Sequence, residues 1–164
     1  KAEYEFTLFD GATPVAFKRG SVYLFSQERM HAIEANVMTT RSPTSVEFKI
    51  IGVSWEFRSD PKPNIVVERR DYAVEEDNGL RRSVVQADIV NRAPRGFKEA
   101  EVRFVILDRE GNLMGANRIL VENFLAGSKR TVKSIWPLEL TGEPVQILVE
   151  PRVNVFDPGI ILKP

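Results

Sequence analysis

The chain has no cysteine among its 164 residues. Disulfides, Cys-ligated zinc, iron–sulfur clusters and thiol nucleophiles are therefore excluded, although a chain of this size folds without such staples in reducing and oxidising compartments alike. Histidine occurs once, at His31. A Ser-His-Asp triad needs its imidazole in a pocket, and a zinc site generally needs several His or Cys ligands, so His31 reads as a surface or rim residue of a strand. Charge of one sign is also lacking: Lys plus Arg is 23 and Asp plus Glu is 23, so no net charge draws the chain to nucleic acid or to an anionic membrane. No apolar run approaches the roughly 18 residues of a transmembrane helix, and no signal-peptide pattern opens the chain. Walker and Gly-x-Gly-x-x-Gly loops are absent. The carboxylates Glu75, Glu76 and Asp77 lead into Asn78-Gly79, which reads as a hairpin turn and not as the apolar pocket that a general acid requires. The expectation is a non-enzyme with no catalytic residues, no cofactor and no metal.

What the chain does have is a repeat. Phe6-Thr7-Leu8-Phe9-Asp10 returns as Phe104-Val105-Ile106-Leu107-Asp108, each followed by a glycine-bearing turn at Gly11 or Gly111. Phe6 to Phe104 spans 98 residues and Val46 to Val145 spans 99, too long for a solenoid unit and suited to two related domains in tandem. Within each copy, Phe6 and Leu8, or Phe104 and Ile106, share one face of an alternating strand. Asp10 and Asp108 end their strands and can hold turn amides; as calcium ligands they lack the several convergent oxygens such a site needs. Gly11 and Gly111 supply the positive φ of a tight reversal.

Strand signals dominate the rest. Short runs of β-branched and aromatic residues recur about every 10 to 15 residues, which points to a sandwich rather than to βαβ units. Gln27 to Met38 holds good helix formers, but its counterpart Ser128 to Trp136 is strand-like, and Met30 to Val37 is accordingly read as a strand. Ser59-Asp60-Pro61-Lys62-Pro63 interrupts the pattern and reads as a short linker. The expected domains are 1–60 and 61–164. The second has room for seven strands. Only Lys1 to Glu5 precede the phrase in the first, which is expected to lack its N-terminal strands and to leave a sheet edge or half a core uncovered.

The run Ser83 to Asn91, the run Glu101 to Asn112 and the turn Leu125-Ala126-Gly127-Ser128 together resemble the FxLYD family. Those domains carry a strand ending in Asn, a Phe-x-Leu-Tyr-Asp strand, an Asp-x-Gly turn and a turn of leucine, a small residue and glycine, here Gly127. Ile106-Leu107 and Leu8-Phe9 replace the family's Leu-Tyr. The wider layout, through Val153 to Asp157, is similar to uncharacterised bacterial proteins in which a membrane anchor precedes two such modules. The resemblance implies an all-β fold of two tandem immunoglobulin-like β-sandwich modules. It also implies an extracytoplasmic address with an anchor outside this chain, and it brings no catalytic residues.

Three features bear on binding. Arg69, Arg70, Arg81 and Arg82 flank an acidic stretch and, if they converge across a hairpin, suit an anionic ligand such as a cell-wall polymer; otherwise they are the charges of a solvated edge strand. Trp55 and Trp136 are able to stack on sugar rings, though core packing is the ordinary use of such aromatics. The apolar tail Phe156 to Leu162, with Ile160 and Ile161, either packs on its own domain or adds to an exposed sheet edge of a neighbouring copy. The expected role is a spacer, adhesion or assembly component acting through protein contacts, without membrane insertion by this segment. The alternatives are a strand-exchanged homo-oligomer or filament and a carbohydrate-binding module.

Overall fold

Period-two alternation along the chain produces nine β-strands and no helix among the described residues. A computed structural model describes residues 1–26, 28–34, 37–57 and 61–163. The strands form three three-stranded antiparallel sheets, and the chain divides into two compact units, Lys1–Pro61 and Lys62–Pro164. Ser59 and Asp60 of the expected linker lie outside the described residues.

The second unit holds β4 (Ile65–Asp77), β5 (Leu80–Asn91), β6 (Phe97–Leu107), β7 (Leu113–Phe124), β8 (Lys129–Trp136) and β9 (Gln146–Arg152). One sheet runs β4-β5-β8 and the other β7-β6-β9. Their inner faces make one core, in which Val85, Ala87 and Ile89 of β5 and Val132 of β8 meet Val102, Phe104 and Ile106 of β6, Val121 and Phe124 of β7 and Val149 of β9. This two-layer arrangement is consistent with a β-sandwich. It has six strands among the described residues, where the sequence had room for seven. The stretch after β9 instead turns and makes a single bridge, Ile161 with Phe97.

Turn chemistry fixes the register. Asn78 and Gly79 both have positive φ, 53° and 77°, as a two-residue hairpin of type I′ between β4 and β5 requires. Asp108 directly follows β6 and takes hydrogen bonds from the Asn112 backbone N–H at 2.7 Å and from the Asn112 amide at 2.9 Å. Gly111, at φ 83°, turns the chain between them. Asp10 has a different neighbourhood, an ion pair with Arg41 at 3.6 Å, while the Gly11 N–H donates to Thr44 Oγ1 at 3.0 Å.

Asn91 is the fully buried polar pin of this unit. Its Nδ2 donates to the carbonyls of Arg95 (3.0 Å), Phe124 (3.1 Å) and Leu125 (3.2 Å), and its Oδ1 accepts from the Ala93 N–H at 3.0 Å. Its backbone carbonyl accepts from the Gly127 N–H at 2.8 Å. One side chain thus ties the end of β5 to the turn joining β7 and β8, which crosses from one sheet to the other. Gly127 serves that turn with φ 70°.

The first unit holds β1 (Ala2–Asp10), β2 (Thr13–Val22) and β3 (Ser45–Val53), in the order β2-β1-β3. This is the order of β7-β6-β9, with Phe6 and Leu8 standing where Phe104 and Ile106 stand. Val46 lies opposite Leu8 and Ile147 opposite Ile106, so the third strands of the two units correspond at a spacing of 101 residues. The spacing of 99 expected from Val46 and Val145 is corrected by two.

The expected strand from Met30 to Val37 is not formed by its described residues; Ala35 and Asn36 lie outside them. The physical reason lies in its counterpart. β8 pairs with β5 alone, and the described residues of the first unit contain no strand equivalent to β5. A strand without a ladder leaves its backbone groups to water, and local preference does not hold it extended.

Two outcomes follow for the second unit. Asn91→Ala leaves several carbonyls and one N–H without their partner, and is expected to lower its stability by about 2 to 3 kcal/mol in a denaturant titration. The second concerns acid. Thr131 and Lys129 hold Asp88 below its ordinary 3.8, Asn112 does the same for Asp108, and Lys129 and Arg92 hold Glu68 below 4.5. With folded values depressed, the unfolded chain binds more protons through this range. The contribution is complete above about pH 4.5 and is lost as pH falls through the depressed values. Asp108→Asn should show a shallower loss of stability below pH 4 than the parent in an acid titration.

Candidate functional site

The least ordinary surface in the molecule is one face of the first sheet. Residues paired across antiparallel strands share a face. Tyr4, Phe6 and Leu8 of β1 therefore stand beside Ile50, Phe48 and Val46 of β3, and beside Gly20, Lys18 and Ala16 of β2. The opposite face carries Glu3, Glu5 and Thr7 with Glu47, Lys49, Phe17 and Arg19. Its charges are paired within the face: Arg19 with Glu5 at 3.1 Å and Lys49 with Glu47 at 3.1 Å. The alternation thus assigns one face to water and the other to a core.

That core is only partly built. Among the described residues of this unit, the buried apolar side chains are Tyr4 and Val22, at one end of the face. The segment after β2 covers them: the Tyr4 hydroxyl donates to Glu34 Oε1 at 2.7 Å, and Glu34 pairs with Lys18 at 3.9 Å. Gly20 is required there, since a Cβ on it would come within 2.5 Å of the Tyr4 ring. The face is open along β3, where Val46, Phe48 and Ile50 are 62%, 54% and 61% exposed, Ile50 directly opposite Tyr4 included. Phe6 and Leu8 of β1 are half-buried, whereas their counterparts Phe104 and Ile106 in the second unit are fully buried. Tyr4 and Phe48 have ring centroids 5.6 Å apart, so the aromatic stripe is continuous from the covered Tyr4 to the exposed Phe48. Covering a half-exposed aliphatic or aromatic side chain is worth about 1 kcal/mol, so closing this stripe contributes on the order of 3 to 5 kcal/mol. Three strands need a packed face to be stable, so this surface has both the chemistry and the driving force of an interaction site.

Trp55 and Phe57 continue from β3 and are 89% and 94% exposed. Trp136 is placed differently: it is half-buried against the core of the second unit and packs over Gly115, where a Cβ would stand 2.9 Å from its Nε1. The two tryptophans therefore lie in separate units, one open and one in packing contact. Neither the sugar-stacking row nor a uniform core role describes both.

The arginines do not form one cluster. Arg82 and Arg81 lie opposite Glu75 and Glu76 near the hairpin turn, while Arg69 and Arg70 lie opposite Asp88 and Ala87. Six residues of strand separate Arg82 from Asp88 along β5, about 20 Å. Local acids engage three of them: Arg69 with Asp71 at 2.6 Å, Arg82 with Asp77 at 2.9 Å and Arg81 with Glu139 at 3.1 Å. The convergence needed for an anion site is absent from the register of the hairpin.

The tail docks on its own unit. The Lys98 N–H donates to the Ile160 carbonyl at 2.7 Å and the Leu162 N–H donates to the Gly96 carbonyl at 2.9 Å. Ile160 is buried, and Phe156, Ile161 and Leu162 are partly covered. The tail extends the β9 side of β6 beyond the end of β9, which is the first of the two arrangements expected for it.

His31 is exposed in the segment after β2. No group of three or more His, Asp or Glu side chains able to hold a metal ion is present among the described residues. No helix long and apolar enough to cross a membrane is present among them either. Sequence reasoning nominated Phe6 and Leu8 as structural residues, and it passed over Val46, Phe48 and Ile50. Their alternation with Glu47 and Lys49 was the available signal.

No family model, curated protein or solved structure matches this chain.

Proposed function

We propose that this protein is a non-enzymatic, extracytoplasmic bacterial surface component that works through protein–protein contacts, as a spacer, adhesion or assembly element. Its two units are read as tandem immunoglobulin-like modules of the FxLYD type. The first supplies the contact surface and the second a closed supporting domain. The observation that carries this reading is the open apolar stripe of Val46, Phe48 and Ile50 on β3, set against the buried equivalents of its neighbours in the second unit. Three neighbouring apolar side chains left open on one face of β3 suit a protein surface rather than water. The charged opposite face keeps the sheet soluble on its outer side.

Exposed Trp55 favours a second reading, a sugar or cell-wall polymer stacked on that ring. It is weaker because Trp136 offers no matching platform, and because Arg69, Arg81 and Arg82, which would serve an anionic polymer, are paired with Asp71, Glu139 and Asp77.

Light scattering over a wide concentration range tests the first reading. The parent chain is expected to associate above its monomer mass of 18.6 kDa, and Phe48→Asp with Ile50→Asp to remain monomeric. A parent that stays monomeric at every concentration, or a variant that associates equally, contradicts it.

A further inference from the structure

We propose that β3 pairs edge to edge with β3 of a second copy of this chain, antiparallel and about a two-fold axis at Phe48. The two sheets then join as one, in the order β2-β1-β3-β3-β1-β2. This rests on the protein-contact reading above and names the partner and the mode of contact.

β3 is the least covered of the strands. Ser45 to Ile51 and Val53 are all exposed, so solvent reaches the strand on both faces. Its one strand partner among the described residues is β1, on one side, which leaves the other side as a sheet edge. Such an edge is a template for a further strand, since main-chain groups supply the ladder and alternate side chains supply the choice of partner.

The sequence of β3 is complementary to itself in one register. With Phe48 opposite Phe48 of the second copy, Val46 stands opposite Ile50 on the apolar face, and Glu47 stands opposite Lys49 on the other. The two-fold axis repeats each of these pairs, as an isologous contact requires. Within one chain Glu47 and Lys49 already pair at 3.1 Å with both side chains about half exposed, so each is able to face a second opposite charge across the axis. A slide of two residues in either direction sets Glu47 opposite Glu47 or Lys49 opposite Lys49, and like charges directly opposite are unfavourable. The charges therefore select the register, a role they lack if the apolar faces simply pack together.

The counterpart strand shows the contrast. Val149 of β9 faces Phe104 as Phe48 faces Phe6. The same self-pairing of β9 places Leu148 opposite Glu150 and Ile147 opposite Pro151, which has no N–H to offer. β9 also has β4 of the facing sheet beside it, and Gln146 alone of its residues is exposed. β2, the other outer strand of the first sheet, carries Pro14 and the like charges Lys18 and Arg19. β3 has neither a proline nor a run of one charge.

Charge exchange tests the register by sedimentation equilibrium on the full chain. The parent is expected to dimerise, and Glu47→Lys or Lys49→Glu alone to weaken the dimer on the order of tenfold or more. The double variant, and an equimolar mixture of the two single variants, should recover the parent's affinity. The chain has no cysteine, so an introduced thiol reports independently. Phe48→Cys should form a covalent dimer under mild oxidation, because opposed Cα atoms stand about 4.5 to 5.5 Å apart, within the reach of a disulfide. Val46→Cys should not, because its copies lie roughly 13 Å apart along the strand. A parent dimer that both single charge variants leave unchanged overturns the edge pairing, as does a mixture that stays monomeric or equal crosslinking of the two cysteine variants. Those outcomes leave the protein-contact reading in place. A parent that is monomeric at every concentration overturns both.

Discussion

A β-sheet whose residues alternate between apolar and polar is half of a structure. Its ladder satisfies the backbone, but its apolar face gains free energy only against a second layer. In the second unit that layer is present: β4-β5-β8 closes over β7-β6-β9, and Phe104, Ile106, Val85 and Ile89 disappear from solvent together. In the first unit the equivalent sheet has the same strand order and the same alternating phrase, yet Val46, Phe48 and Ile50 remain open. The two units thus set one motif in two states of burial: the second has a covering sheet, and the first has none among its described residues.

The dependence runs from packing to local structure as well. β8 is a strand with β5 beside it, and residues 28–34 form none where no equivalent of β5 stands among the described residues of the first unit. Asn91 shows the same dependence within the second unit. Its buried amide binds carbonyls on the far side of the β7–β8 crossing, so the polar pin and the apolar core hold the same two layers together. Surface charges have a lesser part. The Glu68–Lys129–Asp88 network and the Arg–acid pairs of the β4–β5 hairpin are solvent-exposed, and such pairs are individually worth little.

Much of this was legible in the sequence. The repeat, the Asp-x-Gly turn at Asp108 and the Asn78-Gly79 hairpin rest on short-range chemistry, and local patterns report that chemistry directly. The open face was legible too, from the alternation of Val46, Phe48 and Ile50 with Glu47 and Lys49, but an alternating strand looks the same whether or not its inner face is covered. The strand expected from Met30 to Val37 failed for a non-local reason: its propensity was inferred from Ser128 to Trp136, whose extended form depends on β5. Of the two readings of the arginines, the register favours the solvated strand over convergence. Arg69-Arg70 and Arg81-Arg82 look symmetrical about Glu75 to Asp77, but the tight turn lies at Asn78-Gly79, so the two pairs fall at different heights on the hairpin.

The most direct measurement is hydroxyl-radical footprinting of the intact chain at low concentration, comparing Phe48 with Phe104. The uncovered-sheet account predicts rapid labelling of Phe48, together with Val46 and Ile50, while Phe104 and Ile106 stay protected. Protection of Phe48 equal to that of Phe104 would contradict it, because the first sheet would then already have its second layer.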